Sequence, residues 1–160
     1  MSNKILSYHN DPKVKELHVN LAKKHYELDM LMSGTYGILP AIKGQKFKGC
    51  SVGCMAYELK PNFHTNIDFL HEIVAESAGW PIWFVELNDT MFEALPAGER
   101  EIFHVQLRER IPVGADLDLL FDYYRSVDRK STTDSQGRAL KCRDGLFQLL
   151  DQAGAEIQAR

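Results

Sequence analysis

The stretch DPKVKELHVNLAKKHYELDMLMSG, residues 11–34, decides the fold class. Asp11 offers a side-chain oxygen to the open amides of a helix start. Pro12 follows at the first helical position, where no hydrogen bond is lost. Val14, Leu17, Leu21, Leu28 and Met32 then recur at helical period, and Ser33-Gly34 stops the pattern. With Val14 at the origin and about 100° per residue, Leu21 lies at about 340°, His25 at about 20° and His18 at about 40°. Both histidines therefore fall inside the apolar stripe. Asp29 follows His25 at i+4, close enough along the helix to orient its imidazole. A carboxylate holding a ligating histidine is a common supporting device in metal sites.

The same grammar repeats downstream. Asn66 can cap a helix through Ser77, with Ile67, Leu70, Ile73 and Val74 on its inner face and Gly79 at its end. Trp80-Pro81 opens IWFVELNDTMFEAL, which closes at Leu95-Pro96, and a further helix fits Gly98 to Arg110. Asp116 can cap LDLLFDYYRSV, and a final helix covers 139–158. Gly37, Pro40 and Gly44 break any long element between residues 35 and 49, where the tip AIKGQKFKG is basic. The polar run DRKSTTDSQGR, 128–138, reads as a mobile loop. No alternating strand pattern of useful length occurs. The expectation is an all-α, single-domain bundle of five to six helices over residues 1–160, interrupted by the irregular segment at 35–49.

Composition narrows the classes of function. The 160 residues are 44% hydrophobic and carry a formal net charge of −3, ample for one core and unfavourable for general nucleic-acid binding. MSNKILSYHNDPK lacks the apolar segment of a signal peptide, and no apolar run is long enough for a membrane span. The chain reads as cytoplasmic. Three cysteines, an odd number, argue for reduced thiols over a disulfide framework.

FKGCSVGCMAYEL, residues 47–59, sets Cys50 and Cys54 four apart, each preceded by glycine. They can be metal ligands, a redox pair or small packing residues. Three intervening residues fall within the familiar zinc spacings, so zinc is the cofactor to test. His64 or His71 can supply a third ligand and His25 a fourth, with Asp29 behind His25. Packing is the competing reading, because cysteine is among the most often buried residues and glycine marks close approach. Cys142 stands apart. Ser51, between the two thiols, shows no activating partner. Cys50 with His25 can also form a nucleophile–base pair, with Asp29 orienting the ring.

HYELDMLMSG, KGCSVGC, NDTMFEALP and IPVGADL together resemble a family of uncharacterised bacterial and bacteriophage-borne proteins, over residues 8–120. Its motif order is a helix with His-x3-Asp, a GC-x-VGC element, a following histidine, an FEGLP-like helix end and an IPVGADL-like turn. The resemblance picks out His25, Asp29, Cys50, Cys54, His64, Asp89, Glu93 and Asp116. It implies no established activity.

Glu86, Asp89 and Glu93 form a carboxylate row opposite Leu87, Met91, Phe92 and Leu95, the pattern of a solvated helix face. Asp68-x2-His71 and Glu101-x2-His104 have the spacing of carboxylate-bridged di-metal bundles, but the set of glutamates is incomplete. Trp80, Trp83, Phe84 and Tyr123-Tyr124 offer more aromatic surface than a minimal core needs. The first functional reading is therefore a helical binding protein, with a protein partner or self-association and a structural or metal-binding Cys/His cluster. The alternative is an enzyme using the same cluster, as a zinc hydrolase or a Cys/His nucleophilic hydrolase.

Overall fold

The computed structural model describes residues 4–63, 69–122 and 135–160. It is all-α: six α-helices are defined, and β structure among the described residues is confined to two isolated bridges. The helices are α1 (Pro12–Glu27), α2 (Ser51–Leu59), α3 (Leu70–Ala78), α4 (Ile82–Ala94), α5 (Glu99–Arg110) and α6 (Ser135–Gln158). None is long and apolar enough to cross a membrane.

α1 begins as its sequence dictates. The Asp11 carboxylate accepts from the Lys13 amide at 2.9 Å, and Pro12 occupies the first turn. It ends at Glu27, five residues short of Met32. Asp29 turns left-handed at φ 54°, the Met30 amide donates to the His25 carbonyl at 2.9 Å, and the Asp29 amide to Tyr26 at 3.2 Å. That pair of bonds is a Schellman stop, and aspartate is one of the few non-glycine residues that tolerates it. The buried face carries His18, Ala22 and His25, whereas Leu17 is 48% and Leu28 39% exposed. The inward stripe is thus rotated toward Ala22, and the histidines sit nearer its centre than two of the leucines do.

α2 lies at the centre, packed by α1, α3 and α4, and every residue from Ser51 to Ala56 is buried. Its small side chains allow that. α3 stops at Gly79, left-handed at φ 67°, and α5 starts where the Glu101 carboxylate accepts from the Gly98 amide at 2.6 Å. Asp116 caps a 3-10 turn, Leu117–Leu120, and Phe121 and Asp122 continue helical; the rest of the expected helix lies outside the described residues. α6 covers α4 and α5 with Ala139, Leu146, Phe147 and Leu150, and Arg110 lies 4.5 Å above the Phe147 ring. Residues 135–138 of the expected loop belong to α6; the remainder of that loop, the capping role of Asn66, and Tyr123-Tyr124 lie outside the described residues.

Ahead of α1, Tyr8, His9 and Asn10 form a left-handed turn with φ of 55°, 53° and 55°. Each such residue costs about 1–2 kcal/mol. The turn is held by the Ser7 amide on Ala115 O at 2.8 Å, the Gly114 amide on Ser7 O at 3.0 Å and His9 Nε2 on Glu76 O at 2.6 Å. It drives the Tyr8 ring fully into the core, beside Trp80.

Residues 30–49 make no regular element but are closed at the base. Met32 N donates to Gly49 O at 2.8 Å, Gly49 N to Met30 O at 2.9 Å and Cys50 N to Thr35 O at 2.9 Å. A Cβ on Gly49 or Gly53 would overlap the Tyr36 carbonyl oxygen, so both glycines are required by the close approach of that backbone.

Candidate functional site

Cys50 and Ser51 adjoin in sequence and serve different clusters. From Ser51 a chain of side chains runs through the interior. Arg108 Nη2 donates to Asn88 Oδ1 at 3.0 Å, and Asn88 Nδ2 donates to Ser51 Oγ at 3.1 Å. Ser51 Oγ meets His104 Nδ1 at 2.6 Å, and His104 Nε2 meets His25 Nδ1 at 3.0 Å. His25 Nε2 lies 3.5 Å from the Glu58 carboxylate, which Lys24 reaches at 2.9 Å.

Proton positions follow from one end. A guanidinium only donates, so Asn88 must present its oxygen to Arg108 and its NH2 to Ser51. The single Ser51 hydroxyl proton goes to His104 Nδ1 at 2.6 Å in preference to Asn88 Oδ1 at 3.4 Å, because the opposite sense would turn a His25 lone pair toward the Glu58 carboxylate. This leaves the His104 proton on Nε2 for His25, and the His25 proton on Nε2 facing Glu58. The chain is polarised from a buried cation to a carboxylate at the edge. Arg108, Asn88, Ser51, His104 and His25 are wholly buried. Burial, with the Arg108 charge nearby, depresses the His104 imidazole well below its usual range; burial also carries His25 down to about 4, against the pull of Glu58. Both rings are neutral at pH 7.

Serine, imidazole, second imidazole and carboxylate in this order have the acid–base sequence of an activated nucleophile. Their complete burial denies a substrate direct approach. The reading of Ser51 as lacking an activating partner is corrected, since its hydroxyl donates to His104 Nδ1. The signal was present: Gly49-Cys50-Ser51-Val52-Gly53 spells G-x-S-x-G. Here, however, Ser51 opens a helix after an isolated bridge, and both glycines are explained by Tyr36. Asp29 does not orient His25 from within α1, because the helix has already ended. The carboxylate beside that ring is Glu58.

From Cys50 a second cluster faces outward. Its sulfur and one carboxylate oxygen each of Asp89 and Glu93 lie within 4.8 Å of one another, the one such three-ligand group among the described residues. Asp89 Oδ2 is held by the Tyr36 hydroxyl at 3.1 Å and by His71 Nε2 at 3.0 Å. Glu93 Oε2 accepts from the Gly34 amide at 2.9 Å. Each carboxylate keeps a second oxygen that accepts no hydrogen bond among the described residues. Asp89 is therefore half-covered by the 30–49 segment and not part of a solvated face, while Glu86 and Glu93 remain exposed. Burial, then the Asp89 and Glu93 charges, pushes the Cys50 thiol up to about 12.

The sequence-derived metal candidates that are described have different bonding partners. Cys50 joins Asp89 and Glu93. Cys54 donates its S–H toward the Met30 and Gly49 carbonyls, both at 3.3 Å, and burial raises it to about 12. His25 bonds within the interior chain, and His64 lies outside the described residues. Thiols raised this far are poor redox partners. Comparison with protein-family models, curated proteins and solved structures finds no match to this chain.

Proposed function

We propose that the protein is an interaction protein whose contact element is the loop at 38–46, with a zinc-class cation on Cys50, Asp89 and Glu93 pinning the base of that loop to α4. The observation that carries this reading is the exposure of Ile38 at 55%, Leu39 at 46% and Ile42 at 67% on one anchored loop. Apolar side chains grouped in this way mark contact surfaces. Lys43, Lys46 and Lys48 are exposed among them, on a chain of net charge −3. An apolar groove with an acidic rim on a protein partner is the complement. Thiolate and carboxylate donors suit zinc, and its binding expels the Cys50 proton.

Elemental analysis of protein purified without a histidine tag tests the cation, with about one zinc per chain expected and none in Asp89→Asn. Capture from a bacterial lysate, followed by titration with the purified partner, tests the surface. Ile38→Ser/Leu39→Ser/Ile42→Ser should abolish binding while leaving the helical spectrum intact. Equal binding by that variant removes the reading, and concentration-dependent dimerisation lost in it replaces the partner with a second copy. The three-ligand set favours one further reading, because an open fourth position is the mark of a hydrolytic zinc. Zinc-dependent ester or phosphoester hydrolysis lost in Asp89→Asn would carry it.

A further inference from the structure

Besides His25 Nε2, which faces Glu58, three buried nitrogens in one part of the core have no hydrogen-bond partner among the described residues: Arg108 Nε, Trp80 Nε1 and His18 Nδ1. They come from α5, from the turn between α3 and α4, and from α1. The Arg108 guanidinium carbon lies 5.3 Å from the Trp80 ring centre, and the His18 and Trp80 ring centres are 6.4 Å apart. The Tyr8 ring, 6.1 Å from each of those two rings, walls the group, and its hydroxyl is committed to Arg108 O at 2.6 Å. His18 Nε2 is occupied by Ser77 Oγ at 2.9 Å, so Nδ1 is the atom left over.

Arg108 also lacks an anion. Its other nitrogens meet neutral acceptors, the His104 carbonyl at 2.9 Å and Asn88 Oδ1 at 3.0 Å, and no carboxylate pairs with it among the described residues. Glu58 stands at the far end of the interior chain, behind four neutral side chains. The Trp80 ring attracts the guanidinium charge but supplies no anion, and the Arg108 Nε–H still needs an acceptor. A fully buried, unpaired cation is strongly unfavourable.

We propose that this cluster binds a small monovalent anion of halide type, chloride under ordinary conditions, accepting from Arg108 Nε–H, Trp80 Nε1–H and His18 Nδ1–H. A water molecule is the competing occupant. Water must place its own two protons on acceptors, and of these groups only His18, with its ring proton on Nε2, could offer one, whereas Trp80 and Arg108 can only donate. An anion accepts from all three and neutralises the charge. The Ser77 hydroxyl can donate to His18 Nε2, which puts the ring proton on Nδ1 where the anion needs it.

The unfolding midpoint is to be measured in sodium chloride and in sodium gluconate at equal ionic strength. A saturable rise of about 3 °C or more with chloride is expected, from selective binding to the folded state. Trp80→Phe keeps the ring beneath Arg108 and removes one donor, so the chloride dependence should shrink; Arg108→Met should abolish it. Crystals grown in bromide should give an anomalous peak within hydrogen-bond distance of Trp80 Nε1 and Arg108 Nε, a readout that does not depend on either variant folding. Identical midpoints in the two salts, a chloride dependence undiminished in Trp80→Phe, or an ordered water in place of bromide would each overturn the assignment.

Discussion

Two neighbouring residues at the start of α2 lead to opposite kinds of polar chemistry. Ser51 enters a buried chain that is neutral between its ends and hydrogen-bonded from Arg108 as far as His25, whose Nε2 faces Glu58 at 3.5 Å. Cys50 enters a cluster at the edge, where two carboxylates are half-satisfied and a thiol stays protonated beside them. The first arrangement is closed to solvent and acts by specifying how α1, α2, α4 and α5 meet. The second retains free oxygens and an approach from solvent. The difference lies in access to solvent and not in residue type, since both clusters contain histidine and carboxylate.

Acid should expose that contrast most strongly. Burial lowers His25 and His18 to about 4 from the ordinary 6.5. The unfolded chain then binds more protons below pH 6.5, so the stability tied to these rings is complete above that pH and lost as pH falls toward 4. Each ring accounts for about 3 kcal/mol over that window. Urea midpoints at pH 7.5, 6.0 and 5.0 should fall steeply, and a flat profile would show that the rings are hydrated.

Cutting the interior chain is next in size. His104→Ala leaves Ser51 and His25 unpaired around a cavity and should cost about 3–4 kcal/mol by urea unfolding. A cost below about 1 kcal/mol would mean the chain is already bridged by water. At the edge, zinc at 100 times its Kd should add about 2.7 kcal/mol to wild-type stability and nothing to Asp89→Asn. A full response in that variant would move the cation elsewhere. The smallest effect belongs to Ile42→Ser, which should change stability by less than about 0.5 kcal/mol because the side chain already faces water. A larger loss would show that the loop packs against the body.

Helix ends are legible in the sequence because their causes are local: Asp11-Pro12, Gly79, and Gly98 with Glu101. The inward placement of His18 and His25 is legible for a similar reason, being a matter of angle about one axis. The early stop of α1 is less so, because an aspartate at 29 fits both a helix interior and a left-handed cap. What His25 meets is illegible: the partner His104 lies 79 residues away, and only the packing of α5 on α1 brings it there. Arg108 sits at the rim of an apolar face and looks like a surface residue until its partners are known. The clustering of Asp89 with Cys50 depends on residues 30–49, which have no period to read.

The Gly49 and Gly53 contact with the Tyr36 carbonyl has a consequence for how this chain can vary in length. One residue added or removed between Phe47 and Gly53 would turn the start of α2 by about 100° and send Cys50 and Ser51 to the wrong sides. It would also set a side chain against that carbonyl. Residues added between Leu39 and Gln45, beyond the bridge of Ile38 to Lys48, would disturb neither. Length change among descendants of this sequence is thereby channelled into the exposed tip, where a new partner can be acquired without reopening the core.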